Sequence, residues 1–226
     1  MKAFDALVEE YPAWWIDFLG EHNHVGGAES TKWLLERSGL GPGMRMLDAG
    51  AFVGAAARMA VERTGCIAFA TDLGSDFLYT GRDIAGGSGV NWIVASTHKL
   101  PFGDGVMDSV WCMDSYIAPK ELSRVARAAD ATICICGEIP VDNRGGLESF
   151  VDEWAEYGWK LAGHRALTLE ALQVWRNAEA LMVAKRSYYE ERYGKRAYLG
   201  QLDLLGGLVQ SYERGEAGHG LMVFKR

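Results

Sequence analysis

The sequence predicts an α/β fold built on a mostly parallel sheet with helices on both faces, and two observations carry that expectation. From residue 44 onward, short apolar runs ending in Asp, Ser or Gly alternate with helical segments, the pattern of βα units feeding a parallel sheet. The strands so drawn are 44–49, 66–71, 90–95, 107–113 and 131–137, and two further runs at 159–166 and 219–225 complete a seven-stranded sheet. The chain of 226 residues is long enough for one large domain with additions: a helical lid over 1–40, a core over 41–166, a helical cap over 167–214 and a final strand within 215–226.

Taken in order, Phe4, Leu7, Val8, Tyr11, Trp15 and Phe18 share one helical face, which Pro12 should break or kink. The loop His22-Asn23-His24-Val25-Gly26-Gly27 is polar and glycine-bearing, too flexible for a regular element and suited to a lid; a short helix follows from about Ser30. Leu122, Val125, Ala126 and Ala129 form one apolar stripe behind Pro119, predicting a helix over 119–129. Leu147, Phe150, Val151 and Trp154 predict another over 147–157, ended by Gly158. The cap carries Leu172, Trp175, Ala178 and Met182, then Tyr198, Leu202, Leu205, Val209 and Tyr212, at helical spacing.

Composition narrows the function. Hydrophobic residues make up 49% and charged residues 23%, both globular values, and the 28 glycines exceed the usual share, which suggests close backbone approaches. A net charge of −7 with no Lys/Arg block longer than two lacks the footprint of a nucleic-acid binder. No run of apolar residues is long enough to span a membrane and no secretory signal is legible at the N-terminus, so the expected location is the cytoplasm. Cys66, Cys112, Cys134 and Cys136 sit in apolar, strand-like runs and read as reduced packing thiols; no metal site is expected.

The chemistry concentrates after the first strand. Leu47-Asp48-Ala49-Gly50-Ala51-Phe52-Val53-Gly54 is a glycine-bearing turn between a strand and the helix starting at Ala55, where backbone amides meet a carboxylate or phosphate. The second strand ends in Thr71-Asp72-Leu73, and an acid there accepts hydrogen bonds from both hydroxyls of a ribose. A nucleotide-like ligand is implied.

These residues, with Leu100-Pro101-Phe102, Asp104, Asp108, Val110 and Trp111, then His24-Val25-Gly26-Gly27 with Thr31, and a closing Gly218–Arg226 strand, resemble class I S-adenosylmethionine-dependent methyltransferases. The nearest look is to the sarcosine/dimethylglycine and phosphoethanolamine N-methyltransferase sort. The resemblance implies a Rossmann-like fold, S-adenosyl-L-methionine as cofactor, and methyl transfer to N, O or S of a small acceptor by in-line displacement. It implies a cofactor site of Asp48, Gly50, Ala51, Gly54, Asp72, Leu73, Ser96, Thr97, His98 and Met113. Position at the sheet's C-terminal edge nominates Asp114, Tyr116 and Glu138 as catalytic residues, joined by His24 on the lid. The chain departs from the pattern at Phe52, where the turn's middle glycine is usual, at Ser96, where an Asp is usual, and at Ala118, where several relatives carry a histidine.

The bland readings stand beside these. Trp14, Trp15, Trp175, Tyr188 and Tyr189 serve either core packing or an aromatic-lined pocket, and aromatic residues of the N-terminal helices are available to cover the pocket or another copy in a homo-oligomer. His164 is expected to pack beneath the sheet edge. Two alternatives remain: a catalytically silent cofactor-binding subunit of the same fold, motivated by the three departures, and a nicotinamide-dependent oxidoreductase, for which the central glycine of GxGxxG is missing.

Overall fold

The computed structural model describes residues 14–87, 89–127, 129–141 and 145–226. Phe4, Leu7, Val8, Tyr11 and Pro12 lie outside the described residues, and the helix α1 is described over 14–19. There follow α2 (Gly27–Ser38), β1 (Arg45–Ala49), α3 (Ala55–Thr64), β2 (Ile67–Asp72), α4 (Ser75–Ala85), β3 (Val90–Val94), β4 (Ser109–Met113), α5 (Pro119–Val125), β5 (Thr132–Pro140), α6 (Gly146–Ala155) and β6 (Lys160–Ala166). Three cap helices, α7 (Thr168–Ala184), α8 (Arg186–Tyr193) and α9 (Lys195–Glu213), precede β7 (Ala217–Lys225).

The seven strands lie in the order β3-β2-β1-β4-β5-β7-β6, parallel from β3 to β5, with β7 antiparallel to both its neighbours. Because β1 is flanked by β2 on one side and β4 on the other, the connections leave in opposite directions there. The crevice beyond the C-terminal ends of β1 and β4 is therefore where a ligand settles in such a sheet.

Strand alternation builds a core on each face. On β4, Trp111 and Met113 join the cluster under the cap, whereas Val110 and Cys112 join the one beneath α5 and α6 with Leu122, Trp154, Trp159 and Phe224. All four cysteines are free and buried, and burial pushes the Cys134 thiol up to about 12, which fits packing thiols. The Leu100–Asp104 segment is held by Arg124, whose guanidinium donates to the carbonyls of Leu100 and Phe102 and pairs with Asp104 and Glu121. Asp108 accepts from the amide of Arg45 at 2.7 Å, tying the entrance of β1 to β4. These motif residues therefore serve the scaffold.

Several boundaries differ from the sequence expectation. Helix α5 stops at Val125 because Ala126 is extended, which lets it bridge Met107. Helix α6 ends at Ala155, and Gly158 closes the turn after it in a left-handed conformation. Helix α2 begins at Gly27, three residues ahead of Ser30. His164 is exposed, because β6 is an edge strand with one neighbour and most of its residues face solvent.

Candidate active site

A cavity of about 400 Å³ opens over the C-terminal ends of β1, β2 and β4. The turn after β1 is fastened by Gly50 and Ala51, whose amides both donate to the Thr71 carbonyl at 2.8 Å. Gly50 has φ +78°, and a Cβ there would overlap the side chain of Ser115, so this glycine is required both by conformation and by close approach. Phe52 also adopts a left-handed backbone, φ 52°, which is costly for a bulky residue. Two contacts hold it there: its amide donates to Asp72 Oδ2 at 2.9 Å, and its ring packs on Phe77 at 4.8 Å between centroids. The missing middle glycine is thus replaced by an aromatic wall.

Three carboxylates line this cavity, Asp48 and Asp72 at the ends of β1 and β2 and Asp114 after β4. Asp72 accepts from the amides of Phe52 and Gly74, both at 2.9 Å, and burial still raises its pKa. Asp48 is 2% exposed. Burial pushes its carboxyl up to about 7; the Ala57 amide opposes that rise and the Asp72 charge adds to it. Among the described residues Asp48 Oδ2 has no hydrogen-bond partner. A buried acceptor left open toward a cavity fits a ligand that brings its own donors.

Of the ten residues proposed for the cofactor, Asp48, Gly50, Ala51, Asp72, Leu73, Thr97 and Met113 line the cavity. Gly54, Ser96 and His98 do not line it. Gly54 caps α3 against the Trp92 ring, Ser96 Oγ accepts the amide of His98, and the His98 ring packs on Tyr116 at 4.2 Å. Sequence reasoning missed His22, Asn23, Phe52 and Phe77 as wall residues.

The loop ahead of α2 is pinned. Val25 is fully buried and its amide donates to Asp114 Oδ2 at 2.8 Å. His24 is 1% exposed, with Nδ1 at 3.2 Å from the Val25 carbonyl and Nε2 at 2.9 Å from Thr31 Oγ1. Burial lowers its pKa to about 4, against the pull of Asp114, so the ring is neutral at pH 7. His24 lines the cavity but acts chiefly as the peg that seats the loop, and a flexible lid at rest is not what the structure shows.

Asp114 sits between this cavity and a second one of about 660 Å³ under the cap, and Asn23, Asp114, Ser115 and Tyr116 line both. Burial alone would raise the Asp114 carboxyl, but His219 beside it, Nε2 at 3.0 Å from Oδ1, and the Val25 amide hold it below the usual range. His219 Nδ1 is in turn 3.0 Å from the Tyr212 hydroxyl. An ionised Asp114 accepts a hydrogen bond from the Nε2–H of His219 and leaves Nδ1 as the acceptor for Tyr212, so the three form a relay whose tautomer is set by its partners. Burial and the charges of Glu138 and Asp114 raise the Tyr212 hydroxyl well above its ordinary value. Cys136 Sγ lies 3.6 Å from His219 Nε2, and Asp114, Cys136 and His219 each bring one atom of metal-ligand type within 4.8 Å of the others, spent here on one another. Glu138 also lines the second cavity, on the sheet face of its register partner His219.

Of the cap aromatics singled out in the sequence, only some face this space. Trp175 lines the cavity and meets Trp15 edge-on at 6.2 Å, whereas Tyr188 is 48% exposed. Trp14 packs between Tyr189 and Tyr193, and the Tyr189 hydroxyl donates to Asp17 at 2.6 Å, binding α1 to α8.

Residues 47–131 match the family model of a methyltransferase domain. A curated sarcosine/dimethylglycine N-methyltransferase from Halorhodospira halochloris is 29% identical over 136 residues, 53% of this chain and 49% of that protein. The chain thus spans about half the length of the curated relative it matches. Among solved structures, a Galdieria sulphuraria protein assigned as a sarcosine dimethylglycine methyltransferase superposes with a TM-score of 0.82 at 16% identity, covering 96% of each chain. A Haemonchus contortus phosphoethanolamine N-methyltransferase, solved with phosphomonomethylethanolamine and S-adenosylhomocysteine, gives 0.75 at 17% identity, over 100% of this chain and 58% of that one. With the sheet order, the glycine turn and the two strand-end carboxylates, these matches show a chain similar to methyltransferases over residues 47–131 and sharing its whole fold with solved methyltransferases.

Proposed function

We propose that the chain transfers a methyl group from S-adenosylmethionine to a small acceptor held in the second cavity. One observation carries the reading: the two cavities share the wall formed by Asn23, Asp114, Ser115 and Tyr116, so a donor in the first and an acceptor in the second meet across it. When bound, S-adenosylmethionine supplies a methyl group on a positively charged sulfur.

The residues fit that cofactor. Asp48, with its open Oδ2, and the Gly50–Ala51 turn suit a cationic amino-acid end. Asp72 suits ribose hydroxyls, and Leu73 and Thr97 flank the remaining space. The pinned Val25 loop and the cap exclude water. The relay handles the acceptor's proton: Tyr212 accepts it as its own hydroxyl proton passes to His219 Nδ1, and the imidazolium is stabilised by Asp114. His24 positions the loop, while Tyr116 and Glu138 orient the acceptor from the second cavity.

This is a chain acting in the cytoplasm on a free small molecule, with neither nucleic acid nor membrane as partner. Among the described residues no helix is long and apolar enough to cross a membrane. Titration calorimetry with S-adenosylhomocysteine, followed by an assay of its release from S-adenosylmethionine across amine, hydroxyl and thiol acceptors, tests the reading. Binding with turnover is the expected result. Binding without turnover on any acceptor would instead favour the silent-subunit alternative, and no binding at millimolar ligand refutes the cofactor cradle.

A further inference from the structure

We propose that the second cavity selects an amine carrying no carboxylate or phosphate, received as an ammonium between Glu138, Asp114 and the rings of Trp15, Tyr116 and Trp175. The inference rests on the methyl-transfer reading and adds the charge class of the acceptor to it.

Charge comes first. Two carboxylates, Asp114 and Glu138, line the cavity, and among the described lining residues there is no lysine or arginine. The imidazole of His219 is already committed, to Asp114 through Nε2 and to Tyr212 through Nδ1. Glu138 stands close enough to the Tyr212 hydroxyl to resist its ionisation, so its charge acts inside the cavity although its side chain is open to solvent. A carboxylate or phosphate on the acceptor would meet no Lys or Arg among the described lining residues and would have two like charges to oppose; an ammonium meets both.

The walls agree with the charges. Trp15 and Trp175 stand edge to face, and Tyr116 and Tyr212 complete an aromatic lining. Ring faces attract a cation and cannot replace the hydrogen bonds an anion loses on leaving water. A volume of about 660 Å³ suits a small organic amine. The proton inventory closes as well. The ammonium gives one proton to Tyr212 Oη while Tyr212 passes its own to His219 Nδ1, and the freed nitrogen lone pair would bond the methyl carbon as the carbon–sulfur bond breaks and S-adenosylhomocysteine leaves with that electron pair.

Matched pairs test the selection: phenethylamine against phenylalanine, and N,N-dimethylethanolamine against N,N-dimethylglycine. Each compound is titrated into protein saturated with S-adenosylhomocysteine and assayed for turnover with S-adenosylmethionine. The amine of each pair is expected to bind about tenfold or more tightly than its acid. Glu138→Gln should weaken amine binding by about tenfold and narrow the amine-to-acid ratio, with affinity for S-adenosylhomocysteine unchanged. Equal or tighter binding of the acids, or a ratio untouched by Glu138→Gln, overturns the selection. Because the ratio is read at equilibrium, it separates from the reading beneath it, which fails through loss of S-adenosylhomocysteine binding or of all turnover.

Discussion

Asp48→Asn should stabilise the ligand-free protein by an amount that grows with pH. The carboxyl is buried, accepts the Ala57 amide and titrates at about 7, against an ordinary value of 3.8. Between those two pH values the folded chain holds a proton that the unfolded chain has released. Asp48 therefore contributes its full stability below pH 4 and loses it as pH rises toward 7, at roughly 1.4 kcal/mol per pH unit and about 4 kcal/mol in all. Asparagine keeps an acceptor for Ala57 and carries no charge, so it removes this slope. His24 tilts the other way: its folded pKa of about 4 lies below the ordinary 6.5, so its contribution is present above pH 6.5 and lost as pH falls toward 4. Between pH 4 and 6.5 the Asp48 and His24 slopes oppose each other, and the variant removes only the Asp48 slope. Urea denaturation of both proteins at unit pH steps from 4 to 9 measures the difference. A gap that widens up to about pH 7 and then levels is expected, and a gap constant with pH would refute the assignment of a buried, raised carboxyl to Asp48.

Three further outcomes follow from the site and the scaffold. Asp72→Ala should weaken S-adenosylhomocysteine about 10- to 150-fold by calorimetry, since a charged acceptor is lost and the Phe52 amide loses its partner; affinity within twofold of wild type would remove Asp72 from the site. His219→Asn should cost about 10²-fold or more in turnover, with S-adenosylhomocysteine affinity held within about twofold; unchanged turnover would make the relay structural. Gly54→Ala should lower stability by about 2–5 kcal/mol, because φ is +65° and the new Cβ would meet the Trp92 ring at 2.5 Å. A thermal melt reads that loss, and an unchanged midpoint would show that the turn gives way.

The sheet was legible because its signals are local. Each strand announces itself by an apolar run, so β1 to β4 fall within two residues of their expected spans. The residues that line the first cavity at the strand ends were legible for the same reason: Asp48, Gly50 and Asp72 lie where the alternation alone puts them in the sheet. His219 and Tyr212 carried no such signal. They come together because β7 inserts beside β5 and α9 folds back over it, and no spacing rule places a residue of β7 against the end of β4. Gly54 misled in the opposite sense, since a glycine required by a neighbouring tryptophan reads the same as one required by a ligand. The seating of the His24 loop was hidden too, because Asn23 and its flanking glycines look flexible until Thr31 and Asp114 supply their partners.

The placement of β7 between β5 and β6 bears on how the molecule is made. A ribosome delivers β1 to β5 as parallel strands, each of which finds a neighbour already made: β2 pairs with β1, β3 with β2, β4 with β1 and β5 with β4. β6 then emerges with no strand to join, because its only neighbour in the sheet is translated after the three cap helices. Until that strand arrives, one side of β5 and the whole of β6 present open backbone, an invitation to wrong pairing. The cap can assemble during that wait but has no finished floor to close on. Competence for cofactor can therefore precede competence for acceptor during synthesis, and a ribosome-stalled chain lacking β7 should be the species most in need of a chaperone.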